Sequence, residues 1–286
     1  MSNRVIFIPA RDGLETHPTL AELRLRCHKQ YHQTIGNWLA RRVARPTAIY
    51  GTWIAIRLGL SANQVTVAAM VTAIGGALAM GSGSRSGFLF AVILWHVAYW
   101  LDHVDGQVAR WRATSSLDGV YLDYLLHHIW NLTQGFALGF GLAILTGEPT
   151  WSLAGFGVAL GWCLLSLHND CRYKAIFQRL KSDRRSFRVD GGSGGRPSPA
   201  APWPRHGLGI ITWPAAKSCE SHVVLLSLTG MAVVAVLLPD AWIALWKTYV
   251  VVMACGSLLL ALGRIGKSIR NGRVEAEFTQ WFRATN

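Results

Sequence analysis

The chain has 286 residues, of which 51% are hydrophobic and 15% charged, with 13 Trp and a formal net charge of +13. Its apolar residues come in blocks of roughly 20, the length of a bilayer span, which excludes an ordinary soluble domain. The positive charge forms no compact basic domain and no aromatic-interleaved patch, so nucleic acid is not an expected partner.

Residues 1–18 hold only a short apolar run, Val5 to Ile8. That is too short for the h-region of a signal peptide, and no cleaved leader is expected. Residues 1–45 read as a basic cytoplasmic N-terminal segment. Its second half suits one or two polar helices, whose Arg24, Arg26, Lys29, Arg41, Arg42 and Arg45 suit anionic headgroups. Residues 46–60 mix Ile49, Tyr50, Trp53, Ile54 and Ile56 with Gly51 and Arg57. They are too short and too polar to span, and an amphipathic helix lying in the interface is predicted.

Residues 61–182 are assigned to four spans, near 63–81, 87–110, 117–145 and 151–171. The first opens with Asn63-Gln64-Val65-Thr66. The pairs Gly135/Gly139 and Gly157/Gly161 have the small-xxx-small spacing that lets helices approach closely, within a subunit or across a dimer. A homodimer is expected. A low-complexity stretch at 183–217 contains Asp190-Gly-Gly-Ser-Gly-Gly and several prolines, and reads as a flexible cytoplasmic loop. Residues 218–286 hold two more spans, near 221–238 and 241–262, and a basic tail. The fold class is therefore an all-α integral membrane protein of six transmembrane helices with an N-terminal interfacial helix.

Basic residues set the orientation. They concentrate before the first span, at Arg112, in the 172–217 stretch and after Arg264, whereas the turns at 82–86, 146–150 and 239–240 carry only Arg85. The positive-inside bias then places both termini and the Arg112 turn in the cytoplasm of a multi-pass cell-membrane protein. Cys27, Cys163, Cys171, Cys219 and Cys255 form no CxxC pair and are odd in number. They argue for neither a disulfide framework nor a zinc site.

The chemistry is concentrated at 102–127, which reads DHVDGQVARWRATSSLDGVYLDYLLH. At about 100° per helical residue, Asp102, Asp105, Gly106 and Ala109 share one face. After Thr114 to Ser116, whose hydroxyls suit an N-cap, Gly119, Asp123 and His127 recur at i, i+4 and i+8. A helical hairpin should thus bring Asp102, Asp105, Asp123 and His127 to a common point. Converging carboxylates without a cation would repel one another and protonate. One or two Mg²⁺ or Mn²⁺ ions satisfy such oxygen ligands and leave room for phosphates. Ion pairing with Arg110 and Arg112 is the structural alternative, but it would not require the small Gly106, Ala109 and Gly119 on the same faces. Asp118 reads as first-turn helix charge, and His96, His103 and His128 fall off the shared face.

This pattern resembles the signature of the CDP-alcohol phosphatidyltransferases: Asp, two residues, Asp-Gly, two residues, Ala-Arg, about eight residues, Gly, three residues, Asp, three residues, Asp. Asp102, Asp105, Gly106, Ala109, Arg110, Gly119 and Asp123 match it, and His127 stands where the family has its last Asp. The resemblance implies a membrane phosphotransferase of phospholipid synthesis. Such an enzyme moves a substituted phosphate from a CDP-linked donor to an alcohol acceptor, at least one of them a lipid, and releases CMP. It further implies metal ligation by Asp102, Asp105, Asp123 and His127, with His127 as the base. Gly106, Ala109 and Gly119 would let the nucleotide approach the backbone, and Asn63 and Thr66 would lie near it unless they only cap the first span. Arg110 would meet a phosphate or hold the hairpin by pairing with a carboxylate. Two rivals stay open: a catalytically impaired relative that keeps metal or nucleotide binding, and a divalent-cation transporter. A transporter would place its carboxylates mid-bilayer on interrupted helices rather than at a span end.

Overall fold

The computed structural model describes residues 18–27, 36–114, 116–183, 187–189, 207 and 209–284. Much of the expected basic N-terminal segment and most of the Gly/Pro-rich stretch lie outside these. The described chain is helical apart from two three-residue strands, and divides into two compact units. Residues 1–73 and 93–127 make the first; 74–92 and 128–286 make the second.

The first unit begins with α1, Leu20–Cys27. Its start is a capping box, in which Thr19 Oγ1 and its backbone N–H both donate to Glu22 Oε2 at 2.7 Å. A π-helical turn at Ala40–Ala44 leads into α2, Arg45–Arg57, with Pro46 in its first turn. Pro46 has no N–H to complete an α-turn and its ring crowds the carbonyl four residues back, which accounts for the local widening. The helix forms where an interfacial one was predicted, but it is packed. A Cβ at Gly51 would lie 2.4 Å from the Trp100 ring, and Thr52 Oγ1 donates to buried Gln107 Oε1 at 2.8 Å. Ala48, Ala55, Val65, Val104 and Val108 form one core cluster there, and Leu23, Cys27, Ile49, Ile56 and Trp111 another.

Helices α3 (Ala62–Gly81), α4 (Arg85–Arg112) and α5 (Leu117–Thr146) each contribute residues to both units. In the second unit they are joined by α6, Thr150–Ser182, and α9, Trp242–Arg270. The small-xxx-small glycines are used here within the chain. A Cβ at Gly139 would fall 2.3 Å from Gly155 N, and one at Gly161 would strike the Ser257 side chain. These glycines therefore no longer argue for a subunit contact.

Among the described residues five helices, α3, α4, α5, α6 and α9, are long and apolar enough to cross a membrane. The span expected near 221–238 meets that test only as a bent pair, α7 (Gly209–Ser218) and α8 (Ser221–Leu237), which turn by 73° between them. α7 corrects the expectation of an unstructured 183–217, since its last residues are helical. Pro214 at the sixth position of this short helix is the feature that made it unreadable.

The fourth span also outruns its expected end. α6 continues to Ser182 because the second unit gives its polar extension partners. Arg172 is buried and donates to Glu277 on α10 (Arg273–Trp281) at 2.8 and 3.1 Å. Tyr173 stacks on Trp281, and Phe278 sits between Phe187 and Phe282. The strands β1 (Phe187–Val189) and β2 (Phe282–Ala284) pair antiparallel beside this cluster.

Candidate active site

The site residues lie within the first unit, at the turn between α4 and α5. Helix α4 ends in a Schellman motif, in which Ala113 N–H donates to Arg110 O and Thr114 N–H to Ala109 O. Ala113 holds the left-handed position, φ 51°, that glycine usually fills. Helix α5 starts on Ser116, whose Oγ accepts the Gly119 N–H at 3.0 Å, as the hydroxyl cluster predicted. This tight reversal sets the two acidic faces beside each other.

Asp102, Asp123 and His127 come together, each offering one donor atom within 4.8 Å of the others. His127 Nε2 is 3.8 Å from Asp102 Oδ1, and its Nδ1 is 3.6 Å from Asp123 Oδ1. Opposite ligands of a six-coordinate Mg²⁺ are about 4.2 Å apart, from Mg–O bonds of about 2.1 Å. Adjacent ligands are about 3.0 Å apart, so the three donors would close by about half an ångström or more around the ion. Two carboxylates and an imidazole suit a hard or borderline divalent cation, and the donors fit the ion that the sequence implied.

Asp105 stands one turn along from Asp102 and is nearly inaccessible, at 8% exposure. Thr66 Oγ1 donates to its Oδ2 at 2.7 Å. The capping alternative for the first span falls to other residues. Ser61 N–H donates to Gln64 Oε1 and Gln64 N–H to Ser61 Oγ, a complete capping box. Thr66 is thereby placed on a carboxylate rather than in a cap. Asn63 is exposed, with Oδ1 3.5 Å from where a Gly119 Cβ would be.

The imidazole of His127 has a defined tautomer. Its Nδ1 lies 2.8 Å from the Asp123 backbone carbonyl, which can only accept. Nδ1 must carry a proton, so in the neutral imidazole the lone pair is on Nε2, facing Asp102. A single lone pair cannot hold a cation and receive a proton at once, so the two roles drawn from the resemblance exclude each other at any instant.

Arg110 Nε donates to the Cys27 carbonyl at 2.6 Å, and its Nη1 would lie 3.3 Å from a Cβ at Gly106. The Cys27 contact is one that side-chain reading missed, because a backbone carbonyl has no sequence signature. Burial pushes the Cys27 thiol up to about 11 despite the Arg110 and Arg26 charges nearby. Gln107 was also missed; its Oε1 accepts from Thr52 and its Nε2 donates to Arg45 O at 3.0 Å. A polar residue inside an apolar helix was the available signal. His103 points to Tyr99 O, and His128, in the second unit, pairs with Asp170 at 2.8 Å.

Residues 60–168 match the family model of the CDP-alcohol phosphatidyltransferases. The matched stretch contains every residue from Asp102 to His127 and supports a transferase of the CDP-alcohol type. No curated protein matches the chain.

Proposed function

We propose that this protein transfers a substituted phosphate from a CDP-linked donor to an alcohol, releasing CMP, with a lipid as donor or acceptor. The observation that carries this reading is the convergence of Asp102, Asp123 and His127 beside Thr66-bound Asp105, inside the stretch that matches the family. Asp102 and Asp123, with Asp105 one turn along α4 joining them and the His127 lone pair left for a proton, would hold Mg²⁺ or Mn²⁺, which when bound would supply positive charge to the pyrophosphate and the departing phosphate.

The remaining steps fall to the chain's own groups. Gly106, Ala109 and Gly119 carry too little side chain to keep a nucleotide off the backbone, and Asn63 offers an amide beside Gly119. Arg110 donates to a donor phosphate. The acceptor hydroxyl oxygen attacks phosphorus, the bond to CMP breaks, and the hydroxyl proton passes to His127 Nε2. The resulting imidazolium stays oriented by the Asp123 carbonyl and faces the Asp102 carboxylate.

Incubating the purified protein with Mg²⁺ or Mn²⁺ and panels of CDP-linked donors and alcohols tests the reading. A new phosphodiester lipid, found by mass spectrometry together with stoichiometric CMP, is the expected result. Product from no donor and acceptor pair refutes it. His127 in the last acidic position favours one second reading, a relative that binds metal or nucleotide without turnover, for which only His127→Asp would yield product.

A further inference from the structure

The N-terminal helix α1 reaches the motif through Arg110, and nothing in the transfer mechanism requires it to. Leu23 and Cys27, one helical turn apart, are both 0% exposed and close on Ile49, Ile56 and Trp111. The Arg26 guanidinium lies over the Trp111 ring, 5.2 Å from its centroid. The capping box at Thr19 and Glu22 fixes the other end of the helix. Arg110 Nε takes the Cys27 carbonyl at 2.6 Å. With Nε anchored there, the terminal nitrogens lie over Gly106, one turn back along α4 on the face of Asp102 and Asp105.

We propose that α1 is a positioning brace for Arg110: its Cys27 carbonyl fixes the guanidinium over Gly106 so that Nη1 and Nη2 are aimed where a donor phosphate would bind. An arginine on a free stem samples many rotamers, and holding it in one lowers the entropic cost of each phosphate contact. The brace needs α1 docked, and docking depends on Leu23 and Cys27. Donor binding is therefore sensitive to residues that touch no substrate. This rests on the transferase reading for its kinetic consequence, but not for the contact itself.

Two measurements separate the claims. Kinetically, Leu23→Ala loosens the dock and should raise the donor KM by about tenfold, the order of one charge-assisted hydrogen bond, with kcat within about twofold. Arg110→Ala should raise it at least as much, and the double variant should be no worse than Arg110→Ala alone, since α1 acts only through that side chain. KM defects that multiply, or a fall in kcat in Leu23→Ala, would show that α1 only supports the fold and would overturn the proposal. The second measurement needs no activity. In a variant whose other four cysteines are replaced, maleimide should label Cys27 slowly, because the thiol is buried and stays protonated near neutral pH. Arg110→Ala should speed labelling by about tenfold, and Arg112→Ala should not. An unchanged rate overturns the brace. A faster rate in a protein that makes product from no donor sustains the brace and refutes the transferase reading instead.

Discussion

Replacing His127 perturbs the site where the chain departs from the matched family's pattern. Its Nε2 holds the free lone pair, 3.8 Å from Asp102 Oδ1. Once that nitrogen takes a proton, the imidazolium and the carboxylate at that separation attract by about 4 kcal/mol at an effective dielectric of about 20. The His127 side chain is 47% exposed, and solvent screening reduces such a pair to about 1 kcal/mol. A positioned general base is worth roughly 10² to 10⁴ in rate, about 3 to 5 kcal/mol. Loss of the base should therefore dominate loss of the pair. His127→Ala should lower kcat for CMP release by about 10² to 10⁴ fold at saturating donor and cation. His127→Gln, which keeps the bulk but has no basic nitrogen, should fall as far, whereas His127→Asp should retain or raise turnover. The assay is steady-state CMP release under matched detergent and lipid, with protein integrity checked by size exclusion. Undiminished turnover in His127→Ala would refute the base assignment.

Ala113→Gly should stabilise the α4–α5 turn. The left-handed position costs an L-residue about 1 to 2 kcal/mol, and glycine gives back about 0.5 to 1 of that in chain entropy. A raised melting temperature in detergent is expected, and a lowered one would contradict the turn geometry. The Arg172–Glu277 pair predicts acid sensitivity of the second unit. Burial pushes the Glu277 carboxyl up, but hydrogen bonds from Arg273 and Arg172 and their charges outweigh it and hold it below its usual range. A depressed carboxyl contributes stability that is present above its unfolded value, near 4.5, and lost as pH falls through the folded one. Trp281 fluorescence in an otherwise Trp-depleted chain should report loosening only below about pH 4.5, and Glu277→Gln should already be loosened at pH 7. For topology, cysteines introduced at 83, 148 or 240 should be labelled by an impermeant reagent from outside, and those at 113 or 280 should not. Labelling at 113 from outside would reverse the orientation.

The parts of this structure that were legible in the sequence are those written in side-chain type and spacing. Apolar blocks marked the spans, and the i, i+3, i+4 and i+8 placements of Asp102, Asp105, Gly119, Asp123 and His127 marked the two faces of the hairpin. Ser116 marked the start of α5. What escaped was written in tertiary contacts. The polar extension of α6 looked like a helix end because its partner, Glu277, lies over a hundred residues away. Gly157 and Gly161 read as a helix-contact surface, but the sequence could not show that the helix they meet is α9 of the same chain. The first-span Asn63 and Thr66 had two readings that only the competing cap at Ser61 and Gln64 separated. The Arg110 anchor was invisible because its acceptor is a main-chain carbonyl.

The central claim is that the carboxylates of the α4–α5 hairpin carry a cation-dependent transfer from a CDP-linked donor. It is tested most directly by CMP release from the purified protein across a donor panel, measured with Mg²⁺ or Mn²⁺ present and again after chelation. Release that needs the cation, stops in EDTA, returns on readdition, and is absent from folded Asp102→Asn, Asp105→Asn and Asp123→Asn is the predicted result. Full release in EDTA, or an Asp123→Asn variant as active as the parent, would contradict it.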